Sequence, residues 1–315
     1  MKITGAEALI KSLLLEKVEV IFGYPGGAIM PVYDALYYYK DKIKHILVRH
    51  EQGAVHAAEG YARIAKKPGI CFTTSGPGAT NLVTGIADAM MDSVPLVCIT
   101  GQVASSLLGS DAFQETDIIG ITIPITKWNY QITNAQEIPE IISKAFYIAS
   151  NGRPGPVVID ITKNAQIEKL DYKPKKIFIE KLENTNKLEK NKLKEIAEII
   201  NSSKKPLIVA GHGVLISNAE NELNIFSKKA KIPVAVTLHG ISSINKDNPY
   251  YVGMVGMHGN YAPNVLTNEA DLLLGFGMRF DDRVTGKLDR YAKNAKIIHV
   301  DIDASEHNKN VKTYF

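Results

Sequence analysis

One carboxylate, Glu51, lies in a sequence context that favours proton transfer. Glu51 follows an apolar run, His45 to Val48, that is typical of a strand, and it opens a helical stretch that ends at Arg63. Beyond its first charged residues, this stretch is almost entirely Ala, Gly and Val. Burial among such side chains favours the neutral carboxyl, which can donate a proton. The alternative is a helix cap, because negative charge at a helix start is favoured by about 0.3–1 kcal/mol.

Glycine and proline cluster at the ends of other predicted strands. Residues 25–27, residues 76–78 and Gly101 each follow an apolar run. The carboxyl ends of the strands are where ligands bind in open α/β sheets. None of these clusters has the spacing of a dinucleotide fingerprint, and the sequence has no Walker lysine, His-Glu-x-x-His, Cys-x-x-Cys or Gly-x-Ser-x-Gly pattern. Spacing alone therefore favours strand-end turns over a phosphate, zinc or hydrolase site.

A parallel sheet is needed to bring these strand ends together. The first half of the chain alternates apolar runs with helical patterns, which indicates a parallel sheet covered on both faces. Strands are predicted in VEVIFGY, HILVRH, GICFTTS, PLVCITG and GPVVIDI. Thr4 and Glu7 have the spacing of a capping box and begin a helix almost at the first residue, so we expect no signal or transit peptide.

Composition divides the chain into two domains. Residues 1–163 form the first, and residues 164–192, rich in Lys and Glu, predict an exposed charged linker. Alternation resumes in residues 193–315, with strands predicted in KPLIVAGHG, IPVAVTL, ADLLLGFG and AKIIHVDID. The predicted fold class is α/β, with two doubly wound parallel-sheet domains. We expect the second domain to be incomplete, because it stops a dozen residues after a strand.

The totals describe a globular protein with few special partners. Of 315 residues, 45% are hydrophobic and 22% charged, and the net charge is +4. No basic stripe with interleaved aromatics accompanies that charge, so nucleic acid is disfavoured. No apolar run has the length of a membrane span. Cys71 and Cys98 lie in apolar runs and are expected as buried free thiols in a reducing, cytoplasmic compartment, although a disulfide stays possible.

Eight longer strings follow one another along nearly the whole chain. They include RHEQGAVHAAEGYAR, TTSGPGATNLVTGIADAMMDSVPLV, NGRPGPVVIDI and LLGFGMRFDDRVTGK. In their order and spacing they resemble the acetolactate synthase (acetohydroxyacid synthase) family, whose large catalytic subunit depends on thiamine diphosphate. The resemblance implies an enzyme that decarboxylates pyruvate and adds the hydroxyethyl unit to pyruvate or 2-oxobutyrate, in branched-chain amino acid biosynthesis.

The resemblance assigns roles to residues at the strand ends of the first domain. Glu51 matches the glutamate that hydrogen-bonds N1′ of the cofactor's aminopyrimidine and thereby promotes loss of the thiazolium C2 proton. Other residues match positions that contact the cofactor: Tyr24, Gly26, Gly27, Pro77, Asn81 and Gln114. Ala28, Phe113 and Lys163 match positions near the substrate. The alternative for Phe113 is ordinary core packing, and for Lys163 a solvated surface.

The second domain resembles the FAD-binding middle domain of the same family, in which the flavin is largely structural. Matched FAD positions are Arg153 in the first domain and Gly211, Leu238, Met257, His258, Gly277, Arg279, Asp301 and Ile302. Arg279 and Arg283 can neutralise a pyrophosphate by charge-assisted hydrogen bonds. Their alternative is a surface ion pair with Asp281 or Asp282, which would contribute little.

Two departures from the family pattern limit what the resemblance implies. Ala104 stands where many relatives have proline, which bears on inhibitor contacts more than on chemistry. Gly-Asp-Gly, which begins the family's metal-binding segment, occurs nowhere in the 315 residues, so we assign no Mg²⁺ ligand and expect the diphosphate grip to be absent. In the family the site lies between two subunits, which implies a homodimer, and a regulatory small subunit is expected. We expect the chain alone to bind thiamine diphosphate weakly and to be inactive.

Three functions stay open on the sequence. The first is an N-terminal part of a biosynthetic acetolactate synthase, since RFDDRVTGK favours the FAD-containing type over the catabolic one. The second is a pyruvate oxidase or glyoxylate carboligase relative, which RFDDRVTGK and DAFQETD disfavour. Glu51 further disfavours glyoxylate carboligase, which lacks this glutamate. The third is a non-catalytic homologue that keeps these folds for assembly or FAD binding.

Overall fold

The computed structural model describes residues 2–177 and 189–315. They fall into two compact units, Met1–Glu180 and Lys181–Phe315. Part of the predicted linker, residues 178–188, lies outside the described residues. In the part of the chain that is described, no helix is long and apolar enough to cross a membrane.

The first unit is built on a six-stranded sheet with strand order β3-β2-β4-β5-β7-β6, in which all pairs of neighbours are parallel. A separate antiparallel pair joins β1 to β8. The strands are β1 (Lys2–Thr4), β2 (Val20–Gly23), β3 (Lys44–Leu47), β4 (Gly69–Thr73), β5 (Leu96–Gln102), β6 (Trp128–Ile132), β7 (Pro156–Thr162) and β8 (Lys169–Asp171). The helices are α1 (Gly5–Leu15), α2 (Met30–Tyr37), α3 (Glu51–Ala65), α4 (Pro77–Thr80), α5 (Val83–Asp92), α6 (Ile118–Thr122), α7 (Ile138–Ser150) and α8 (Lys163–Ile167).

Apolar side chains cover both faces of this sheet, as the unbroken apolar runs predict. Alternate residues of β4 point to opposite faces, so that Ile70 and Phe72 pack with α1, α2 and α7, whereas Cys71 packs with α3 and α5. Cys71 of β4 and Cys98 of β5 lie opposite each other in the strand register, and both are free, buried thiols, as expected. Desolvation raises the pKa of the Cys71 thiol. The parallel, doubly covered fold of the first domain is therefore confirmed.

The start of α1 follows its sequence signature only in part. Thr4 is the N-cap, and its hydroxyl accepts a hydrogen bond of 3.2 Å from the Glu7 amide. The Glu7 carboxylate does not complete a capping box. Instead it pairs with Lys11 at 3.0 Å and accepts from the Tyr39 hydroxyl at 3.2 Å.

The exposed linker expected for residues 164–192 is shorter in the structure. Residues 163–171 form α8 and β8, and the Gly5 amide donates to the Glu168 carbonyl at 2.9 Å. Gln166 is wholly buried, and Leu170 joins the core of the first unit. Lys163, Glu168 and Lys169 are exposed, which agrees with the Lys- and Glu-rich composition of this part of the chain. Further along, α9 (Lys190–Ser202) begins three residues before the predicted start of the second domain at residue 193.

The second unit repeats the architecture with a five-stranded sheet, in the order β11-β10-β9-β12-β13, and again all pairs of neighbours are parallel. Hydrophobic clusters cover both faces. The strands are β9 (Pro206–Ala210), β10 (Val234–Val236), β11 (Tyr251–Met254), β12 (Leu272–Phe276) and β13 (Lys296–Val300). After α9, the helices are α10 (His212–Ile216), α11 (Glu220–Ala230), α12 (Tyr261–Glu269) and α13 (Asp282–Thr285).

Within the two parallel sheets, two strands escaped prediction from the sequence, β6 and β11. Both lie at an edge of their sheet. Most of their side chains are only half buried, and β6 carries Asn129 and Gln131 among its aromatic residues. An edge strand pairs on one side only, so it need not be an apolar run, and the periodicity that reveals central strands is missing.

Candidate functional site

Parallel strands deliver the predicted residues of the first domain to one edge of the six-stranded sheet. Because the strands run in one direction, the segments that follow them all begin at the carboxyl edge. Tyr24 to Ala28 follow β2, Glu51 follows β3, and Pro77 and Asn81 follow β4. The segment after β5 carries Phe113 and Gln114, and Lys163 follows β7 directly. We call this set of strand ends the first carboxyl edge.

Glu51 is held as a buried carboxyl with a defined partner. It is the first residue of α3 and only 9% exposed. The Asn81 amide donates to Glu51 Oε2 at 2.8 Å. Glu51 Oε1 lies 3.4 Å from the point where a Cβ on Gly78 would stand. The helix cap is His50, whose Nδ1 accepts from the Gln52 amide at 3.1 Å, so Glu51 is not the residue that caps the helix.

Glycines after β2 and β4 allow two segments to pack closely against Thr74. A Cβ on Gly26 would stand 2.5 Å from Thr74 Cβ, and one on Gly78 would stand 2.8 Å from Thr74 Cγ2. The Thr74 hydroxyl also accepts from the Ala28 amide at 3.2 Å, which ties the turn after β2 to the turn after β4. A larger residue at position 26 or 78 would therefore clash with Thr74. Sequence reasoning missed Thr74, because threonine at a strand end is not a signal.

The segment after β5 brings Gln114 over the turn after β4. Gly76 has φ +59°, and a Cβ there would meet the Gln114 carbonyl oxygen at 2.7 Å. Gln114 itself has a positive φ of 59°. Phe113 is 86% exposed, so ordinary core packing does not explain it within this chain. The backbone of Gln114 thus contacts the glycine-proline turn next to Glu51.

In this structure Lys163 has the exposed side chain of a surface lysine, which was the alternative to a position near the substrate. It is the first residue of α8, its side chain is exposed, and its amide donates to the Val103 carbonyl at 3.4 Å. This contact places it beside the start of the segment that carries Phe113. Its backbone is therefore fixed at the first carboxyl edge while its side chain faces solvent.

Tyr33 of α2 is half-buried against β3 and β4, and the sequence analysis did not single it out. Burial raises the pKa of its phenol, and the nearby Cys71 and Glu51 raise it further. The hydroxyl donates to the Phe72 carbonyl at 3.4 Å and lies 3.3 Å from Nε2 of His45. The phenol therefore stays neutral.

The predicted flavin residues of the second unit also gather at strand ends. Gly211 follows β9, Leu238 follows β10, and Met257 and His258 follow β11. The last pairs are Gly277 and Arg279 after β12, and Asp301 and Ile302 after β13. All five strands run in parallel, so these residues share one edge, which we call the second carboxyl edge.

Backbone contact explains the glycines of the second carboxyl edge. A Cβ on Gly211 would stand 2.3 Å from the Gly277 carbonyl oxygen. The Gly213 amide donates to that same oxygen at 2.9 Å, and Gly277 has φ +55°. The turns after β9 and β12 therefore touch directly, which only glycine allows.

Apolar side chains and two arginines form part of the surface of the second carboxyl edge. Leu238 is 65% exposed and Ile302 is 72% exposed. Arg279 Nη2 lies 4.0 Å from Asp281 Oδ2, and Arg283 Nε lies 3.9 Å from an oxygen of Asp282. The surface ion pairs weighed as the alternative are therefore present, but at such distances and exposures they contribute little and do not prevent binding of a stronger anion.

Arg153 is the one matched flavin position that belongs to the first unit. It lies in the first unit, three residues before β7, and therefore at the amino edge of the six-stranded sheet. Its Nε donates to the Ser93 hydroxyl at 2.8 Å, and its Nη2 donates to the Met91 carbonyl at 3.2 Å. Within this unit, Arg153 anchors the end of α5.

Two profiles of one enzyme family match the chain in the order of its units. The thiamine pyrophosphate enzyme N-terminal TPP-binding domain matches residues 3–121, and the thiamine pyrophosphate enzyme central domain matches residues 193–315. Thiamine pyrophosphate is another name for thiamine diphosphate. The first match contains the first carboxyl edge as far as Gln114, and the second contains the second carboxyl edge.

Curated relatives narrow the family further. The acetolactate synthase large subunit of Cyanidium caldarium is 49% identical over 98% of this chain and 54% of its own length. The probable large subunit of Methanocaldococcus jannaschii is 50% identical over 98% of this chain and 52% of its own. The isozyme 2 large subunit of Escherichia coli K12 is 46% identical over 97% and 55%.

The chain belongs to the acetolactate synthase large-subunit family of thiamine pyrophosphate enzymes. It spans about half the length of the curated relatives that it matches. The resemblance inferred from the eight strings is thereby confirmed, and so is the α/β fold class with its two parallel-sheet units. The roles of individual residues stay predictions.

Proposed function

We propose that this chain supplies the aminopyrimidine side of a thiamine-diphosphate site in an acetolactate synthase. The observation that carries the proposal is the Glu51 carboxyl, 9% exposed and oriented by Asn81 at the first carboxyl edge. A carboxyl in such surroundings can share a proton with a ring nitrogen, which water-exposed carboxylates do poorly. A relative that is 49% identical in sequence is named acetolactate synthase large subunit.

The surface beside Glu51 is the proposed place of the aminopyrimidine ring. Gly26 and Gly78 pack against Thr74, nothing lies within 4 Å of a Cβ on Gly27, and the Gln114 backbone contacts Gly76. Thiamine diphosphate, when bound, supplies the nucleophilic carbon that attacks a 2-oxo acid. Glu51 then holds or releases the proton of the aminopyrimidine, and Asn81 keeps the carboxyl turned toward it.

Pyruvate and 2-oxobutyrate are the proposed substrates. Phe113 is exposed on the segment after β5, and Ala28 leaves little bulk after β2, so both suit contact with a short aliphatic oxo acid. Lys163 offers a cation for its carboxylate. Mg²⁺ is proposed as the partner of the diphosphate, with no ligand assigned to residues 1–315. A homodimer, a regulatory small subunit and a cytoplasmic location complete the proposal on family resemblance alone.

FAD is the proposed ligand of the second carboxyl edge. The exposed side chains of Leu238, Met257 and Ile302 offer apolar contact, and Arg279 offers positive charge to a pyrophosphate. The turns after β9 and β12 contact each other through Gly211 and Gly277, so no side chain projects from these two positions toward a ligand. Visible flavin absorbance of the purified chain after incubation with FAD and removal of free FAD tests this part.

Acetolactate formation tests the whole proposal. The chain is mixed with the separately produced C-terminal half of the Methanocaldococcus jannaschii relative, together with thiamine diphosphate, Mg²⁺, FAD and pyruvate. We expect acetolactate from the mixture and none from either part alone. The control is the relative itself divided at the matching position. An active control beside an inactive mixture would contradict the proposal.

A further inference from the structure

A carboxylate lies buried in the middle of the first sheet, where the proposed chemistry does not use it. Asp160 of β7 is wholly buried. Its Oδ1 accepts from the Thr100 hydroxyl at 2.6 Å, and its Oδ2 accepts from the side-chain amides of Gln102 at 3.1 Å and Gln131 at 2.8 Å. The donors come from β5 on one side and β6 on the other, so the carboxylate joins three neighbouring strands.

Gln102 connects this carboxylate to the segment that carries Phe113 and Gln114. Its Nε2 donates to the Thr116 carbonyl at 3.0 Å as well as to Asp160. Its Oε1 accepts from the Val103 amide at 2.9 Å. Val103 begins the segment and Thr116 lies near its end. One buried side chain therefore closes the loop 103–116 at its base.

The Thr116 carbonyl and the Val103 amide select one orientation of the Gln102 amide, with Nε2 toward the carbonyl and Oε1 toward the amide. An ionised carboxylate only accepts hydrogen bonds, so Asp160 selects the same orientation and reinforces it from β7. An apolar residue at position 160 would remove this reinforcement. A buried carboxylate is a costly way to join strands, because burying its charge is unfavourable. Fixing this amide gives the carboxylate a role that an apolar residue lacks.

The rest of the loop is held mainly by local contacts. The Glu115 carboxylate accepts from the Gly109 and Ala112 amides within the loop itself. The Ser105 amide donates to the Asn164 side chain at 2.8 Å, close to the same base. Gln114, whose backbone contacts Gly76, is only two residues from Thr116 at that base. The position of Gln114 over the Gly76 turn therefore depends on how the base is closed.

We propose that Asp160 is a positioning residue, which acts through Gln102 to close the loop 103–116 and so sets where Gln114 and Phe113 stand beside Glu51. The importance of this placement for catalysis rests on the proposed function. The closure of the loop does not, because it consists of contacts within the chain. Asp160 thus contacts neither cofactor nor substrate and acts only through another side chain.

Hydrogen exchange followed by mass spectrometry on the whole chain, without cofactor, tests the closure. Gln102→Met and Gln131→Met each remove one donor to Asp160 Oδ2, but only Gln102 also contacts the loop. We expect peptides within 103–116 to exchange roughly 10-fold faster in Gln102→Met, since a net hydrogen bond contributes on the order of 1 kcal/mol. Gln131→Met is the matched control and should leave the loop as protected as in the wild type. Equal loop exchange in the two variants would overturn the proposal.

A second pair of variants isolates Asp160. Asp160→Asn can keep its oxygen toward Gln102 and Gln131 and turn its amide toward the Thr100 hydroxyl, so we expect it to preserve loop protection. Asp160→Leu cannot accept a hydrogen bond, and we expect loop exchange to rise while peptides of β4 stay protected. A loop that is as protected in Asp160→Leu as in Asp160→Asn would refute the role of the carboxylate. Because no ligand is present, a failed acetolactate assay beside the expected exchange pattern would count against the proposed function alone.

Discussion

Glu51 at the first carboxyl edge is a buried carboxyl with a hydrogen-bond partner, whereas Leu238 and Ile302 at the second carboxyl edge are largely exposed apolar side chains. Gln102, at the end of β5, is likewise buried and hydrogen-bonded. Both edges end parallel sheets, and at both edges glycines allow neighbouring segments to pack closely. A buried carboxyl with a fixed partner suits a directed hydrogen bond to a cofactor, and an exposed apolar surface with arginines suits a ligand held by contact area and charge. Under the proposed function, the same architecture serves chemistry at the first edge and binding at the second.

Replacement of Glu51 should give the largest difference between the two edges. Glu51→Gln keeps the size of the side chain but cannot exchange the proton, so acetolactate formation in the mixed enzyme should fall by roughly 10²–10⁴. FAD binding by the second unit should not change. The measurement is the rate of acetolactate formation, with flavin absorbance of the same sample as the control.

Near-normal turnover of the Glu51→Gln variant would contradict the proposed role of Glu51 and, with it, the contrast between the two edges. Loss of bound flavin together with activity would instead indicate general damage to the fold. The Asn81→Ala variant sharpens the test, because it leaves the carboxyl in place and removes only the group that orients it.

Asp160 should make the stability of the first unit depend on pH. Burial raises the pKa of Asp160 to about 6, above the ordinary 3.8, although hydrogen bonds from Thr100, Gln131 and Gln102 oppose the rise. The folded state therefore binds the proton more tightly than the unfolded state, and the free energy of unfolding falls as pH rises from about 4 to about 6. At about 1.36 kcal/mol per pKa unit, the change is at most about 3 kcal/mol.

Urea unfolding of the wild type and of Asp160→Asn across that pH range measures this effect. Asparagine does not titrate, so the stability of the wild type relative to the variant should decrease with rising pH. A constant difference between the two proteins from about pH 4 to about pH 7 would contradict the pKa assignment. No comparably buried carboxylate with such a raised pKa occurs at the second carboxyl edge among the described residues, so the second unit should lack this transition.

Gly76→Ala should disturb the first carboxyl edge by a smaller amount. Alanine disfavours the positive φ of this residue, and its Cβ would meet Gln114, so we expect a loss of about 1–3 kcal/mol in the free energy of unfolding. Loop peptides 103–116 should also exchange faster. Gly27→Ala is the matched control, because nothing lies within 4 Å of a Cβ at Gly27. Equal stabilities of the two variants would mean that loop 103–116 does not pack against the turn at Gly76.

Arg279→Gln tests the binding role of the second edge and should weaken FAD binding without changing the stability of the first unit. Removal of a charge-assisted hydrogen bond to a pyrophosphate costs about 1.5–3 kcal/mol, or at least about a tenfold loss of FAD affinity. Fluorescence quenching of FAD on titration with the chain gives the affinity. Lys287→Gln, an exposed cation a short distance along the chain, is the control for general electrostatic attraction. Unchanged affinity in Arg279→Gln would show that the ion pair with Asp281 is the only use of this arginine.

Both edges could be foreseen from local patterns. Apolar runs in β4, β5 and β9 predict central parallel strands, and the residue that follows each such strand must lie at the carboxyl edge. Glu51, Gly76 and Gly211 were therefore placed correctly in relation to their strands before any contact was known. Arg153 was matched to a flavin position, and its place before β7 puts it at the amino edge of the first sheet, so that role stays a prediction.

Other contacts required the register between strands. Asp160 pairs directly with Thr100 on one side and with Gln131 on the other. These residues are separated by tens of positions, and a shift of one residue in either strand would turn the side chains to the opposite face. Threonine, glutamine and aspartate in otherwise apolar runs do not by themselves indicate a network.

The sequence alone determined that two parallel sheets form, that Glu51 stands at a strand end, and that glycines follow other strands, since each depends on neighbours along the chain. Only the tertiary structure decided that Asn81 orients Glu51, that Gln102 closes the loop 103–116, and that β8 returns to pair with β1. Those contacts depend on strand order and register, which packing of both sheet faces sets for the chain as a whole.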